Sequence, residues 1–290
     1  MKAIKWIIGI IIFVITISCS KDKQLPSPNI IFILTDDLGF QDLSSYGSII
    51  TNTPNLDKLA SEGALLNSYY SAQAVCSASR AAILTGSYPN RVGFSGALGP
   101  NAQVGINSEE LLISEMLKDR GYSTAIYGKW HLGDREEFLP TRHGFDDFFG
   151  ILYSNDMWPY HPGVLHLPMK ERLKKWPHLP LIEKNQVINP KVTAKDQELL
   201  TTQYTERAVS FIEKNKDKPF FLMLSPYAVH IPLASKSELV EKYRKRAKER
   251  KRSLPHPVYA GLVEEVDDQV GRIVRVLEAQ GLADDTMVVF

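Results

Sequence analysis

The stretch Asn29-Ile-Ile-Phe-Ile-Leu-Thr35, followed by Asp36-Asp37-Leu-Gly39, decides the fold. The first seven residues form a nearly continuous apolar run that is rich in β-branched side chains. Such a run is typical of a strand buried on both faces of a parallel sheet. It ends abruptly at two adjacent carboxylates. Because ligands bind at the carboxyl ends of strands in open parallel sheets, the run predicts both an α/β fold and the place of a polar site.

Helices and strands alternate along the rest of the chain. The periodicity predicts helices over 107–119, 203–215 and 259–280, which are followed by strands over 122–127, 220–224 and 287–290. This order predicts a largely parallel central sheet flanked by helices. Residues 128–133 are expected to form a loop after one strand, and His230 lies in the loop after another. Residues 153–195, rich in Pro, Trp and His, show no clear period and are expected to pass over the sheet edge, as a candidate lining for a substrate.

Composition and charge indicate one large globular domain. The 290 residues are 44% hydrophobic and 23% charged, with a net charge of +1. This balance gives no electrostatic reason to expect nucleic acid as a partner.

The N-terminus resembles that of an exported bacterial lipoprotein. Lys2 and Lys5 precede an apolar run that is short for a membrane span but suits a signal peptide. The run ends in Thr16-Ile-Ser-Cys19, which is similar to a lipobox although Thr16 stands where Leu is typical. We therefore expect a signal peptide over 1–18, a tether over 19–28 and a membrane anchor through lipid on Cys19, in the periplasm or outer membrane. A cleaved signal without lipid and an uncleaved anchor are the alternatives.

Polar residues follow three of the predicted strands. Asp36 and Asp37 follow the first strand, Lys129 and His131 the second, and His230 the third. Paired carboxylates favour a hard cation such as Ca²⁺ or Mg²⁺. Lys129 and His131 flank one residue of an extended loop, so they are expected to converge on an anion. Taken singly, each has a plainer interpretation, namely a turn for the acids, a surface loop for Lys129 and His131, and a core histidine for His230.

Cys76 is predicted at the start of a helix. Residues 77–85 have a helical pattern that ends at Gly86, so Cys76 lies near free backbone N–H groups that favour anions. Arg80 follows one turn later on the same face. With Cys19 lipidated, Cys76 has no disulfide partner and is a candidate reactive or modified nucleophile. The alternative is a small, buried capping residue.

These residues resemble the formylglycine-dependent sulfatases, of the arylsulfatase type in the alkaline-phosphatase-like superfamily. The signature of that family, Cys-x-Pro/Ala-x-Arg before Leu-Thr-Gly, is similar to Cys76-Ser-Ala-Ser-Arg-Ala-Ala-Ile-Leu-Thr-Gly86. Further blocks in family order are residues 28–39, 53–60, 128–133 and 143–150. The resemblance runs from Pro28 to Phe290.

The resemblance implies a role for each residue of the polar cluster. Cys76 would be oxidised to formylglycine, whose hydrate supplies the nucleophilic oxygen. Asp36, Asp37 and the modified Cys76 would hold Ca²⁺, with Mg²⁺ as the alternative. Arg80 and Lys129 would clamp the sulfate and the hydrate, His131 would be the base of the elimination step, and His230 would protonate the leaving oxygen. Ser154 and Asp156 would support the nucleophile.

Two departures from the family pattern matter. Ala78 stands where the oxygen-dependent maturase favours Pro, so the expected partner is a radical-type sulfatase-maturing enzyme. Residues 29–290 are expected to be the N-terminal portion of the catalytic domain, since the family's remaining metal ligands, a further Lys and a smaller C-terminal subdomain would follow Phe290. The 290 residues alone are expected to have little or no activity.

The expected activity is hydrolysis of a sulfate monoester on a glycan or an aryl group. Two alternatives remain at this point: a phosphate or phosphonate monoester hydrolase of the same fold, and a non-catalytic sulfoglycan-binding lipoprotein. The basic run 242–252 could attract a sulfated polysaccharide. A solvated helix surface is the favoured interpretation of that run.

Overall fold

A computed structural model describes residues 27–250, without the side chain of Arg250, and residues 256–290. The predicted signal peptide, Cys19 and the last residues of the basic run lie outside the described residues. Within these two segments, no helix is both long and apolar enough to cross a bilayer.

The described residues form a seven-stranded sheet flanked by helices, which confirms the predicted fold class. The strands are β1 (Asn29–Ile33), β2 (Ser123–Lys129), β3 (Asp147–Ile151), β4 (Leu181–Glu183), β5 (Gln186–Asn189), β6 (Phe220–Ser225) and β7 (Thr286–Val289). The helices are α1 (Pro54–Glu62), α2 (Cys76–Thr85), α3 (Ile113–Lys118), α4 (Met169–Lys175), α5 (Ala194–Lys214), α6 (Ser237–Arg250) and α7 (Pro257–Ala279).

The strand order is β5-β4-β3-β2-β6-β1-β7. Every pairing among β1, β2, β3, β6 and β7 is parallel, whereas β4 and β5 add an antiparallel edge. β2 and β6 are buried along their whole length. Their carboxyl ends therefore meet the end of β1 at one edge of the sheet, as the first stretch predicts.

Several predicted boundaries were wrong, including the start of α5, which begins at Ala194 and not near residue 203. The strand β2 continues through Lys129, which pairs with Ile151 of β3, so residues 128 and 129 are not in a loop. The helix predicted over 107–119 begins only at Ile113. Asn107 Oδ1 accepts from Glu109 N at 3.0 Å, so that side chain closes a local turn instead of capping the helix. The stretch 153–195 contains α4 and the β4–β5 hairpin, so it extends the sheet edge as well as passing over it.

A pair of glycines lets the strands approach closely at the carboxyl edge. Gly128 of β2 pairs with Gly150 of β3. A Cβ on Gly150 would lie 1.8 Å from the Gly128 carbonyl oxygen. Gly128 itself has φ of 125°, and a Cβ there would lie 2.0 Å from the Ser225 carbonyl oxygen. Glycine is therefore required at both positions to seat Lys129 and its neighbours at this edge.

Candidate active site

Asp36, Arg80 and Lys129 form a buried ionic cluster at the carboxyl edge of the sheet. Lys129 Nζ lies 2.6 Å from Asp36 Oδ2, and Arg80 Nη2 lies 3.3 Å from Asp36 Oδ1. Arg80 Nη1 also donates to the Lys129 carbonyl oxygen at 2.7 Å and to Ser225 Oγ at 2.5 Å. The exposed fractions of these three residues are 5% or less. The guanidinium thus joins the ends of β1, β2 and β6.

The pKa of the Asp36 carboxyl is set by two opposing effects. Burial alone would raise it, but the charges of Arg80 and Lys129 and the hydrogen bond from Lys129 outweigh that effect and hold the pKa below its usual range. Asp36 is therefore a carboxylate at neutral pH. Its negative charge is compensated by two cations before any metal binds.

Cys76 is the first residue of α2 and lies at this cluster. Val75 before it is extended, and Gly86 ends the helix in the left-handed region with φ of 67°. Cys76 is unpaired and half-buried. Its Sγ, a ligand atom of Asp36 and one of His230 all lie within 4.8 Å of one another. The side chain at position 76 therefore faces both the ionic cluster and a histidine.

His131 is held in one orientation by the backbone. Its Nε2 lies 2.8 Å from the carbonyl oxygen of Leu98, and the N–H of Leu98 in turn donates to Ser77 Oγ at 3.0 Å. Because a carbonyl oxygen only accepts, Nε2 carries the hydrogen and Nδ1 carries the lone pair. Nδ1 is buried without a hydrogen-bond partner among the described residues. Burial and the positive charge of Lys129 hold the pKa of His131 well below its usual value, so the ring is neutral at pH 7.

The expectation that Lys129 and His131 face one anion is not supported by their contacts. Lys129 ends a strand and turns its ammonium to Asp36 and to Ser154 Oγ, at 2.6 and 3.0 Å. His131 has φ of 62° and turns to Leu98. In a fully extended loop, residues 129 and 131 would point to the same side. The left-handed φ of His131 turns the backbone, so the two side chains have different contacts.

His230 and Asp37 lie at the mouth of the cluster. His230 Nε2 lies 3.5 Å from Asp37 Oδ2, and the Asp37 side chain is 68% exposed. The two loops are joined through the backbone, since Asp36 N donates to the Ala228 carbonyl at 3.0 Å and Val229 N donates to the Asp36 carbonyl at 2.9 Å. These bonds hold His230 next to the end of β1.

Ser154 and Asp156 have different neighbours. Ser154 is 1% exposed, and its hydroxyl accepts from Lys129. Asp156 Oδ2 lies 3.8 Å from His161 Nε2. The structure therefore brings Ser154 into contact with the cluster and records no contact between Asp156 and the other predicted site residues.

The residues at this edge fit part of a divalent metal site. The predicted ligand set was Asp36, Asp37 and Cys76, whereas the set that the geometry brings together is Asp36, Cys76 and His230. Asp37 adds an exposed carboxylate beside His230. Ca²⁺ takes six to eight oxygen ligands, so these side chains supply only part of its shell.

Two supporting residues, Ser225 and Lys236, were missed in the sequence. Ser225 at the end of β6 binds Arg80, and the only signal was its place after an apolar strand. Lys236 lies 3.2 Å from Glu265 Oε1, and it donates to Thr202 Oγ1 at 2.8 Å. This contact fastens the loop after His230 to α5 and α7, and nothing in the local sequence indicates the pairing.

The chain is similar in sequence to known proteins over most of its length. A sequence profile described as Sulfatase matches residues 28–290. N-acetylgalactosamine-6-sulfatase from Rattus norvegicus is 38% identical over 280 residues, which cover 91% of this chain and 49% of the relative. The chain spans about half the length of the curated relatives it matches.

Solved structures of similar proteins share the fold. PsFucS1 sulfatase from Pseudoalteromonas sp. matches with a TM-score of 0.77 and 31% identity, covering 92% of this chain and 55% of that one. Ps i-CgsB in complex with k-i-k-neocarrahexaose matches with a TM-score of 0.75 and 31% identity, covering 90% of this chain and 57% of that one.

Proposed function

The chain belongs to the sulfatase family, and on that basis we propose that it forms part of a sulfuric ester hydrolase acting on a sulfated glycan or an aryl sulfate. The observation that carries the proposal is the position of Cys76. It begins α2 within 4.8 Å of ligand atoms of Asp36 and His230. A buried Arg80–Asp36–Lys129 cluster lies beside it.

Two groups would complete the site. Formylglycine made from Cys76 would supply a hydrate oxygen as nucleophile. A divalent cation, Ca²⁺ with Mg²⁺ as the alternative, would supply positive charge beside the sulfate oxygens, held by Asp36, Asp37 and the side chain at position 76. The carboxylates suit a hard cation, and Asp36 is ionised at neutral pH because Arg80 and Lys129 lower its pKa against the effect of burial.

The chain's own residues hold the charges of the site in place and move protons to and from the reacting groups. Hydrogen bonds to Asp36 and Ser154 hold the ammonium group of Lys129 in one position, so no rotamer freedom is lost when a sulfate binds beside it. Arg80 fixes the ends of three strands and so keeps the charges in place. His131 presents a neutral Nδ1 that can take a proton, and His230 beside Asp37 would give one to the leaving oxygen.

The domain arrangement and partners are proposed as follows. Residues 1–18 form a lipoprotein signal peptide, 19–28 a tether, and 29–290 the N-terminal portion of the catalytic domain. A radical-type maturing enzyme oxidises Cys76, and lipid on Cys19 anchors the protein to a bacterial membrane in the periplasm or at the outer membrane. Sulfated glycans are the favoured substrates, supported by the carrageenan oligosaccharide in the complex of the similar Ps i-CgsB.

The first test is the mass of the tryptic peptide Leu59–Arg80 from protein made together with an anaerobic maturing enzyme. We expect the aldehyde mass at Cys76. An intact thiol in protein that hydrolyses sulfate esters would refute the formylglycine mechanism.

The second test compares 4-nitrophenyl sulfate with 4-nitrophenyl phosphate, using the full-length protein. We expect the sulfate to be turned over faster, Cys76→Ala to abolish turnover, and Cys76→Ser to retain a covalently sulfated enzyme, because one hydroxyl cannot expel sulfate. Ser87→Ala, at a half-buried serine two residues past the end of α2, is the matched control. Faster turnover of the phosphate would indicate the phosphoryl hydrolase alternative.

A further inference from the structure

We propose that Asp156, Tyr160, His161 and Trp176, with Trp158 as a wall, form a subsite that binds the neighbouring sugar ring of a sulfated oligosaccharide. This set is called the aromatic subsite below. The proposal rests on the proposed function, because it assigns a glycan-binding role to residues beside the same site.

The aromatic subsite begins within one turn of the catalytic cluster. Ser154, which contacts Lys129, starts a turn that Met157 N closes on the Ser154 carbonyl at 3.0 Å. Asp156 is two residues from Ser154, so their Cα atoms are within about 7 Å. A sugar attached to a sulfate at the cluster can therefore reach Asp156.

A second segment is brought to the same place by a long-range bond. The hydroxyl of Tyr153, two residues past the end of β3, donates to the carbonyl oxygen of His178 at 3.1 Å. This bond holds the stretch after α4 over the carboxyl edge of the sheet. The ring of Trp176 lies there, with its centroid 5.7 Å from that of His161.

The polar atoms of the aromatic subsite are arranged for hydroxyl groups. Gly163 N donates to His161 Nδ1 at 3.0 Å, so Nδ1 carries the lone pair and Nε2 carries the hydrogen. That Nε2 lies 3.8 Å from Asp156 Oδ2, which is too long for a direct hydrogen bond. A sugar hydroxyl seated to one side of the two atoms, about 2.8 Å from each, would accept from the imidazole and donate to the carboxylate.

Three further polar atoms of the aromatic subsite make no hydrogen bond within the described part of the chain. Asp156 Oδ1 and the indole nitrogens of Trp158 and Trp176 have no hydrogen-bond partner among the described residues. Two of these atoms lie in the turn after β3 and the third lies after α4. Buried polar atoms without partners are costly unless a ligand, or water carried with it, satisfies them. The Asp156 and His161 side chains are 17% and 29% exposed, so a ligand has access to the gap between them.

The rings and the charge at the rim favour a sulfated saccharide. Tyr160 is 43% exposed and packs edge-on to Trp158 at 5.0 Å between centroids, so it offers ring surface to the face of a sugar. Exposed Lys175 Nζ lies 5.8 Å from the centroid of the Trp176 ring. An ammonium at this rim attracts the anionic groups of a sulfated chain. Carboxylate, imidazole, indole and ammonium together suit a polyhydroxylated anion better than a sterol or a simple aryl group.

The proposal is tested on the full-length, matured protein with three probes. These are 4-methylumbelliferyl sulfate, chondroitin 6-sulfate oligosaccharide, and κ-carrageenan oligosaccharide. The variants are His161→Ala, and Trp176→Phe, which keeps an aromatic ring but removes the N–H. The matched control is His166→Ala, an exposed histidine in the same loop. Thermal midpoints verify that each variant is folded.

We expect the variants to lower kcat/KM for the oligosaccharide that the wild type cleaves by about tenfold relative to the aryl sulfate, chiefly through KM. The control is expected to leave this ratio unchanged. An unchanged ratio in both variants overturns the proposal, as does a wild type that cleaves the aryl sulfate and neither oligosaccharide. Asp156→Asn separates the two roles considered for that residue, since an equal loss on the aryl sulfate would place it with the nucleophile and overturn the proposal.

A binding measurement keeps this test separate from the proposed function. If no sulfate ester is turned over, the proposed function fails, and calorimetry then compares oligosaccharide binding by Cys76→Ala with that by Cys76→Ala/His161→Ala. Weaker binding by the second protein supports the aromatic subsite. Equal binding, or no binding by either, overturns it.

Discussion

Replacing Asp36 by Asn is expected to destabilise the protein strongly, because the carboxylate compensates two buried cations. Its two oxygens lie 2.6 Å from Lys129 Nζ and 3.3 Å from Arg80 Nη2. Lys129 is 0% exposed and Arg80 is 2% exposed. An amide of the same shape keeps the packing but leaves both positive charges without a counter-charge.

The size of the effect follows from that burial. Removing one partner of a buried ion pair costs about 3 to 5 kcal/mol, since the remaining charge cannot regain its hydration. Against a total stability of about 5 to 15 kcal/mol, this is a large loss. Lys129→Met removes one of the two cations, so the double variant is expected to lose about 1 to 3 kcal/mol less than the sum of the single variants.

The assay is urea unfolding followed by tryptophan fluorescence, because Trp130 is 1% exposed and adjoins Lys129. EDTA in all samples keeps bound metal out of the comparison. The control is Lys174→Met, which removes an exposed contact with Glu171 and is expected to cost less than about 1 kcal/mol.

Two results would refute this reasoning. One is a loss below about 1 kcal/mol in Asp36→Asn, which would mean that the cations are hydrated or mobile. The other is strict additivity in the double variant, which would mean that Asp36 and Lys129 do not interact.

Three further predictions concern pH, a helix start and strand spacing. Burial and the charge of Lys129 lower the pKa of His131, so below pH about 6.5 the imidazole is protonated in the unfolded chain but stays neutral in the folded protein. The free energy of unfolding should therefore fall with decreasing pH. His131→Gln should reduce that slope by up to about 1.4 kcal/mol per pH unit, measured as the free energy of unfolding in urea between pH 5 and 6.5, and an unchanged slope would contradict the prediction. Asp267, which accepts from the backbone N–H groups at the start of α1, should cost about 1 to 2 kcal/mol on replacement by Ala, whereas neighbouring exposed Asp268→Ala should cost little in the same unfolding assay. Gly150→Ala should lower the thermal midpoint far more than Gly121→Ala, because only the first places a Cβ against backbone atoms, and equal shifts would contradict the close approach of β2 and β3.

The sequence predicted the central part of the sheet because burial there follows from local composition. The apolar runs at β1 and β6 are continuous, and each is bounded by polar or turn residues. The antiparallel edge was not predicted, because β4 and β5 are only three and four residues long. β5 is mostly exposed, so neither apolar periodicity nor burial marks it.

The candidate site was predicted in its membership better than in its contacts. Residues that follow parallel strands must share one edge, which brought Asp36, Lys129 and His230 together from spacing alone. The orientation of His131 could not be predicted, since it depends on a left-handed φ and on the carbonyl of Leu98 33 residues away. The contact between Asp156 and His161 depends on two successive turns, which local propensity does not specify.

The place of β1 in the sheet has a consequence for how the chain reaches this state. β1 is synthesised first, yet its two neighbours are β6 and β7. The amide side chain of Asn29 binds residues 191 and 257 positions later, Phe220 and Thr286. Pairing of such distant segments is slow, and until it occurs both edges of an apolar strand can pair with other chains. The risk of aggregation is therefore governed by the time needed to synthesise and deliver β6 and β7, and chaperones that shield the first strand during that time should raise the yield more than added stability of the finished fold.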